Sequence, residues 1–286
     1  MIGIVGLGVV GSANKFMFQK LGHKVLEHDI KLNTHLNDLL ECSTIYIAVP
    51  TSSKSNGDCD TSIVEDVVNH YIEKRYYGII GIKSTVKPGI TDKLIKINGG
   101  PKVINPSICF IPELLREKNP IVDCVELNKI LVVGTYQQHI YDKIVEDHGT
   151  YPQKRVMMTP IEAELFKYLH NVHGFVEVIL MNLCYDLADK LGVRWEVLKE
   201  AMIADPMFSN YYREPIHKSG RGAGGHCFIK DFATFRDLHS SLVEADEHGQ
   251  QILASLEAKN IELLKKSGKD LDLLNGVYGS IDKKSD

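Results

Sequence analysis

The chain has 286 residues, of which 44% are hydrophobic and 24% charged, with a formal net charge of −4. That length holds one large domain and a smaller one. The mild negative charge speaks against nucleic acid and anionic membrane surfaces as partners, and no apolar run reaches the length of a membrane span.

The first element begins at once, in MIGIVGLG, so no signal peptide is expected. Short apolar runs predict strands at Met1–Val5, Lys24–Glu27, Thr44–Val49, Ile79–Lys83, Lys102–Ile104, Lys129–Val133 and Arg155–Met158. Amphipathic stretches such as Ser62–Lys74 and Gln137–Asp147 lie between them. The alternation implies a doubly wound parallel sheet, α/β and Rossmann-like, over residues 1–159. After Pro160 the period becomes helical. Ile161–Leu191 contains no proline, and Gly174 is its first glycine, so it predicts one long helix with a bend at Gly174. A smaller all-helical domain is expected over 160–270, interrupted by a loop from Ala204 to Gly225. Residues 271–286 are expected to form a tail, frayed at Lys283–Asp286.

The first strand runs into GLGVVG, where Gly6, Gly8 and Gly11 flank Leu7, Val9 and Val10. Such spacing suits a tight turn, a close approach of backbone to pyrophosphate, and close packing of helix on strand. The phosphates would rest at the helix N-terminus, where unsatisfied N–H groups and the dipole favour negative charge. Asp29, closing the second strand, suits the ribose hydroxyls and repels a 2′-phosphate, so NAD is expected rather than NADP.

Six cysteines, at 42, 59, 109, 124, 184 and 227, form no C-x-x-C pair, and no H-E-x-x-H set occurs. No metal is assigned, and unpaired thiols in a reducing cytoplasm are expected. Cys42, Cys109, Cys124 and Cys184 are expected to be buried and structural. Cys227 differs: it follows the glycines of GAGGH and opens FIKDFATFRDL, so a helix starting there would stabilise its thiolate. Lys230 and Asp231 would then share its face. His226 beside it reads as a solvated loop histidine. Lys167 and Asn171, four apart on the long helix, share one face, which spacing alone leaves equally open to solvent or to function. Glu113 and Glu117 are also four apart, after Pro112, as in the first turn of a short helix. Thr85 lies just past a strand end, where an open α/β sheet exposes its crevice.

Five segments resemble the UDP-glucose/GDP-mannose dehydrogenase family: AVPTSSKSNGDCDTS (48–62), KSTVKPGIT (83–91), IPELLRE (111–117), AELFKYLHN (163–171) and GRGAGGHCFIKD (220–231). Their order and approximate spacing agree from Met1 to about Leu264. The resemblance implies NAD-dependent oxidation of a nucleotide sugar, UDP-glucose above all, from C6 alcohol to uronic acid in two steps through Cys227. It assigns Cys227, Lys167, Asn171, Asp231, Glu113 and Thr85 to catalysis. To cofactor binding it assigns Gly6, Gly8, Val9, Val10, Gly11, Asp29, Pro50, Thr51, Thr85, Glu117 and Lys230. Glu113 is implied as the base of the hydrolytic step, with Thr85 and Asp231 as alternative holders of the water. A homodimer built on the long helix is also implied.

Three departures from the family pattern stand out. The chain ends before the usual third domain, the stretch from Asp29 to Thr44 is short, and DPMFSNYYREP replaces an arginine-isoleucine-glycine run, leaving Arg213 or Arg221 to supply the cation. The rivals are a β-hydroxyacid dehydrogenase, which needs no cysteine, and an inactive NAD-binding relative.

Overall fold

A computed structural model describes residues 1–54, 59–103, 106–125, 130–208, 211–243 and 245–279. The chain divides into two compact units, Met1–Ser52 with Asp60–Lys167, and Ser53–Cys59 with Tyr168–Asp286.

The first unit is built on a seven-stranded sheet of β1 (Ile2–Val5), β2 (Val25–His28), β3 (Thr44–Ile47), β4 (Ile79–Ile82), β5 (Ser107–Phe110), β6 (Ile130–Gly134) and β7 (Lys154–Met158), in the order β2-β1-β3-β4-β5-β6-β7. β1, β3, β4 and β5 are buried along their whole length, the unbroken apolar signature of strands covered on both faces. Two clusters form the core. One gathers Ile45, Ile47, Ile80, Ile82 and Phe110, and the other Ile2, Ile4, Tyr46, Cys109 and Val133, so alternate residues of each strand feed opposite faces. Helix α1 (Val9–Lys20) contributes Met17 and Phe18 to the second. Helix α2 (Ser62–Glu73) turns Val64, Val67, Val68 and Tyr71 inward at helical spacing, and α3 (Ile90–Ile97) buries Leu94 and Ile95. Helices α4 (Pro120–Val125) and α5 (Gln138–His148) complete the covering set.

Two features of the sheet depart from expectation. The fifth strand is Ser107–Phe110, not Lys102–Ile104. Gly99 and Gly100 adopt positive φ, Lys102 lies in a turn, and Ile104 is outside the described residues. Ser107 dilutes the apolar signal of this four-residue strand, yet it is buried. The sheet is also not wholly parallel: β5 meets β6 antiparallel at Phe110–Gly134.

Helix α6 (Pro160–Lys190) carries the boundary between the units. It continues as helix through Gly174. A Cβ there would lie 2.8 Å from Phe228 and 3.0 Å from Tyr212, so glycine serves close packing. The second unit adds α7 (Trp195–Ala204), the strands β8 (Ile216–His217) and β9 (Gly220–Arg221), α8 (Gly225–Leu242), α9 (Glu247–Ser267) and α10 (Leu271–Tyr278). The expected all-helical domain thus includes a small antiparallel hairpin. Where a tail was expected from 271, α10 instead buries Leu274 and Val277 against Ile229, Ala233 and Leu264. Lys283–Asp286 lie outside the described residues.

Candidate functional site

The first unit offers a cleft-forming topology. β1 lies between β2 and β3, so the chain order reverses there, and open α/β sheets bind ligands beyond the carboxyl ends of strands at such a point. Gly6 leaves β1 at φ +89°, and a Cβ on it would lie 2.5 Å from the Ala48 carbonyl oxygen. A Cβ on Gly11 would lie 1.8 Å from the Gly6 carbonyl oxygen. These two glycines let α1 press against its own turn. Gly8, the N-cap of α1, is exposed and would meet nothing within 4 Å. The loop therefore presents an open concavity at a helix N-terminus, the arrangement that receives phosphate. Val9 is exposed and Val10 half-buried beside it.

Asp29 directly follows β2. One carboxylate oxygen accepts the Leu7 N–H at 2.7 Å and the other the Lys31 N–H at 3.0 Å. These two N–H groups hold its carboxyl below its ordinary range. The glycine turn and the carboxylate are thus joined by a hydrogen bond at Leu7. Pro50, exposed, and Thr51, half-buried, follow β3, and Thr85, half-buried, follows β4. All lie past carboxyl ends of parallel strands, and the open space over Gly8 with a fixed anion at Asp29 fits a dinucleotide.

Glu113 is not in a helix. It lies in an irregular stretch between β5 and α4, held by groups far away in sequence. Its Oε2 accepts from Asn14 Nδ2 at 2.7 Å and from Lys83 Nζ at 3.0 Å, while its carbonyl oxygen accepts from Lys167 Nζ at 2.7 Å. Lys83 also reaches His148 Nε2 at 3.4 Å. Burial, aided by the Lys83 charge, pushes His148 well below its ordinary range. The His148 Nδ1 faces the Ile144 carbonyl at 2.8 Å, so the neutral ring donates there and offers a bare Nε2 to the lysine. Sequence reasoning named Glu113 and Lys167 but missed Asn14, Lys83 and His148. Lys83 opens a segment already singled out; Asn14 on α1 and His148 on α5 carry no local signal. Glu117 is exposed in the turn before α4, so burial does not set it apart.

In the second unit Cys227 is the third residue of α8, whose N-cap is Gly224. The helix begins two residues earlier than expected, which places the thiol within the first turn. Cys227 is exposed. One turn on, Asp231 is 1% exposed. It accepts from Asn171 Nδ2 at 2.5 Å and from Lys230 Nζ at 2.6 Å. Burial opposes the Lys230 charge, but the Asp231 carboxylate, together with Cys59 and Cys227, raises the ammonium above its ordinary range. His226 is exposed. The structure thus gathers Asn171, Lys230 and Asp231 in the second unit, and Glu113 and Lys167 in the first.

The substitute cations are already engaged. Arg213 pairs with Glu177 at 3.0 Å and lies over the Phe208 ring, and Arg221 pairs with Asp186 at 2.6 Å and with Asn182. Cys42, Cys109 and Cys124 are buried, and burial pushes their thiols up. Cys184 is exposed, contrary to expectation, on the α6 face that also exposes Leu180 and Leu187. No group of three or more potential metal ligands occurs among the described residues.

The glycine turn, the switch point and Asp29 define a dinucleotide-binding α/β protein. Residues 30–147 match the NAD binding domain, and residues 161–260 the central domain, of the UDP-glucose/GDP-mannose dehydrogenase family, to which the chain belongs. Its cofactor is NAD. The UDP-glucose 6-dehydrogenase of Rickettsia typhi is 29% identical over 216 residues, covering 72% of this chain and 47% of that protein. The chain spans about half the length of the curated relatives it matches. Among solved structures, a UDP-glucose dehydrogenase from Pyrobaculum islandicum superposes with a TM-score of 0.77 at 24% identity, over 91% of this chain and 68% of that one. The 3-hydroxyisobutyrate dehydrogenase of Mycobacterium tuberculosis gives 0.69 at 14% identity, over 92% and 95%. These likenesses establish the fold, which two dehydrogenase classes share. No helix among the described residues is long and apolar enough to cross a membrane.

Proposed function

We propose that the protein oxidises the C6 alcohol of a nucleotide sugar, UDP-glucose first among candidates, to the uronic acid through a thioester on Cys227. The observation that carries this reading is an exposed thiol in the first turn of α8, one turn from a buried carboxylate tied to an amide and a lysine. A single alcohol oxidation has no use for that thiol. The Gly6–Gly11 turn and Asp29 would hold NAD, which would supply the hydride acceptor that both oxidations need.

The chain's own residues do the remainder. The Cys227 sulfur adds to the aldehyde carbon, and the resulting oxyanion needs donors, which Lys167 and Asn171 can supply. After the second oxidation, water attacks the thioester carbon. Glu113 takes the water's proton and the thiolate departs, later regaining a proton, so that acid and free thiol are restored. Oε2 of Glu113 already accepts two hydrogen bonds, whereas Oε1 accepts a longer one from the Leu114 N–H at 3.3 Å and keeps a lone pair for that task. Thr85 and Asp231 are the alternative holders of the water. A homodimer also fits, because α6 exposes Leu180, Leu183 and Leu187 by 46–62%; a monomer in light scattering at micromolar concentration contradicts it. A reducing cytoplasm is the compartment this reading assigns.

Mass spectrometry of Glu113→Gln after incubation with NAD⁺ and UDP-glucose tests the route. A UDP-glucuronoyl thioester should accumulate on the peptide containing Cys227, while Cys42→Ser behaves as wild type. Two NADH per sugar are expected, against one for a hydroxyacid dehydrogenase, and full turnover in Cys227→Ala would end the thioester route.

A further inference from the structure

The backbone that leads into Cys227 is held almost residue by residue by side chains from one other stretch, Asn260 to Asp270. Lys269 Nζ donates to the Gly222 carbonyl at 2.8 Å and reaches that of Gly220 at 3.5 Å. Ser267 Oγ accepts the Arg221 N–H at 3.0 Å. Asn260 closes a pair with Ala223, accepting its N–H at 2.7 Å and donating to its carbonyl at 3.0 Å. Asp270 accepts the Gly225 N–H at 2.7 Å, from 45 residues away in sequence.

Two features mark this as more than ordinary loop packing. Lys269 is 4% exposed, and burial lowers its ammonium below the usual range although Asp270 opposes the shift. Burying that charge against two carbonyls is costly, so the position of those carbonyls matters. In addition, the N-cap residue Gly224 has no side chain to cap α8. The Asp270 carboxylate takes that role from elsewhere, and a Cβ on Gly224 would lie 2.0 Å from its oxygen. The glycine at the cap and the distant carboxylate require each other.

We infer that Asn260, Ser267, Lys269 and Asp270 are positioning residues for Cys227: they clamp the loop so that α8 starts at Gly225 and the thiol stays in an ordered first turn. This inference rests on the reading of Cys227 as the nucleophile. Its physical basis is that a thiolate gains from a helix N-terminus only while that turn is formed. An unclamped glycine loop would let the turn fray, because glycine has the most backbone freedom to regain.

Alkylation by iodoacetamide at pH 7, followed thiol by thiol in the full chain by peptide mass spectrometry, tests the inference without any substrate. Cys184, on the α6 face that a homodimer would cover, is the internal reference when the reaction is run on chain diluted to the monomer, and buried Cys109 reports unfolding. In the wild type, Cys227 should react roughly tenfold faster than Cys184. Lys269→Met and Asn260→Ala should each slow Cys227 about fivefold or more and leave Cys184 unchanged, whereas Asp270→Asn, which keeps an acceptor oxygen, should retain most of the rate. If Lys269→Met exposes Cys109 by unfolding, Ser267→Ala decides, with a slowing of about twofold to threefold expected. A fast Cys227 whose rate is untouched in every folded variant overturns the clamp and leaves the nucleophile reading standing. A wild-type Cys227 no faster than Cys184 overturns both.

Discussion

Two glycine loops open onto helices in this protein, one at Gly6–Gly11 before α1 and one at Gly220–Gly225 before α8. Both helices have a glycine N-cap without a side-chain bond. The loops differ in what surrounds them. In the first, the glycines answer to nearby main chain: Gly6 to Ala48 and Gly11 to Gly6 itself, with the space over Gly8 left open. In the second, they answer to side chains brought from Asn260–Asp270, and Asp270 fills the space over Gly224. An open cap can receive a ligand's phosphate, while a filled cap can only order the residues that follow. The same local sequence device thus serves a ligand in one place and, on the reading proposed above, a nucleophile in the other.

The largest expected effect separates structural from ligand-facing glycine within the first loop. Gly11→Ala forces a Cβ onto the Gly6 carbonyl and should cost about 3 kcal/mol or more, lowering Tm by many degrees. Gly8→Ala meets open space and should leave Tm nearly unchanged while weakening NAD. Equal thermal effects from the two substitutions would erase the distinction drawn between these positions.

A third glycine turn tests side-chain clamping in the first unit. Gly89, at φ +99°, and Thr91 donate their N–H groups to the carboxylate of Glu164, at 2.6 and 2.8 Å. Burial pushes this carboxyl up to about 7 against those two donors. Because the folded pKa exceeds the unfolded one, its contribution to stability is full below about pH 4.5 and is lost as pH rises through about 7. The shift corresponds to about 3 kcal/mol at most. Denaturant midpoints across that window should show this decline in the wild type and a flatter profile in Glu164→Gln; identical profiles would contradict it.

The smallest effect concerns Asp29, which completes the first loop through its bond to Leu7. NAD should bind at least tenfold more tightly than NADP, about 1.4 kcal/mol, and Asp29→Asn should narrow the gap. Since its carboxyl titrates below the ordinary range, the preference should persist to pH 5. Titration calorimetry with both cofactors decides this, and equal affinities would remove the role given to the carboxylate.

The first loop could be read from sequence because strand, turn, helix and the carboxylate of the next strand lie within the first 29 residues. Glu113 could not be read in the same way. Its spacing from Glu117 suggests a helix start, yet its position is set by Asn14, Lys83 and Lys167, which are 99, 30 and 54 residues distant. Cys227 stood out by its glycines and charged neighbours, but nothing near it announced Lys269 or Asp270. The strand at Ser107–Phe110 escaped because it is short and opens on a serine, polar by type and buried in fact.

By itself the sequence determined the alternation of strands and helices, the dinucleotide turn, the change to helical period at Pro160, and the thiol that sets Cys227 apart. Each depends on residues within a turn or two of one another, where periodicity and backbone sterics act directly. Only the tertiary structure decided that Glu113 sits outside any helix, that α10 is core rather than tail, and that Asn260–Asp270 secure the cysteine loop. Those outcomes depend on which distant donors, acceptors and apolar faces folding brings within a few ångströms, and hydrogen bonds and buried contacts take no account of separation along the chain.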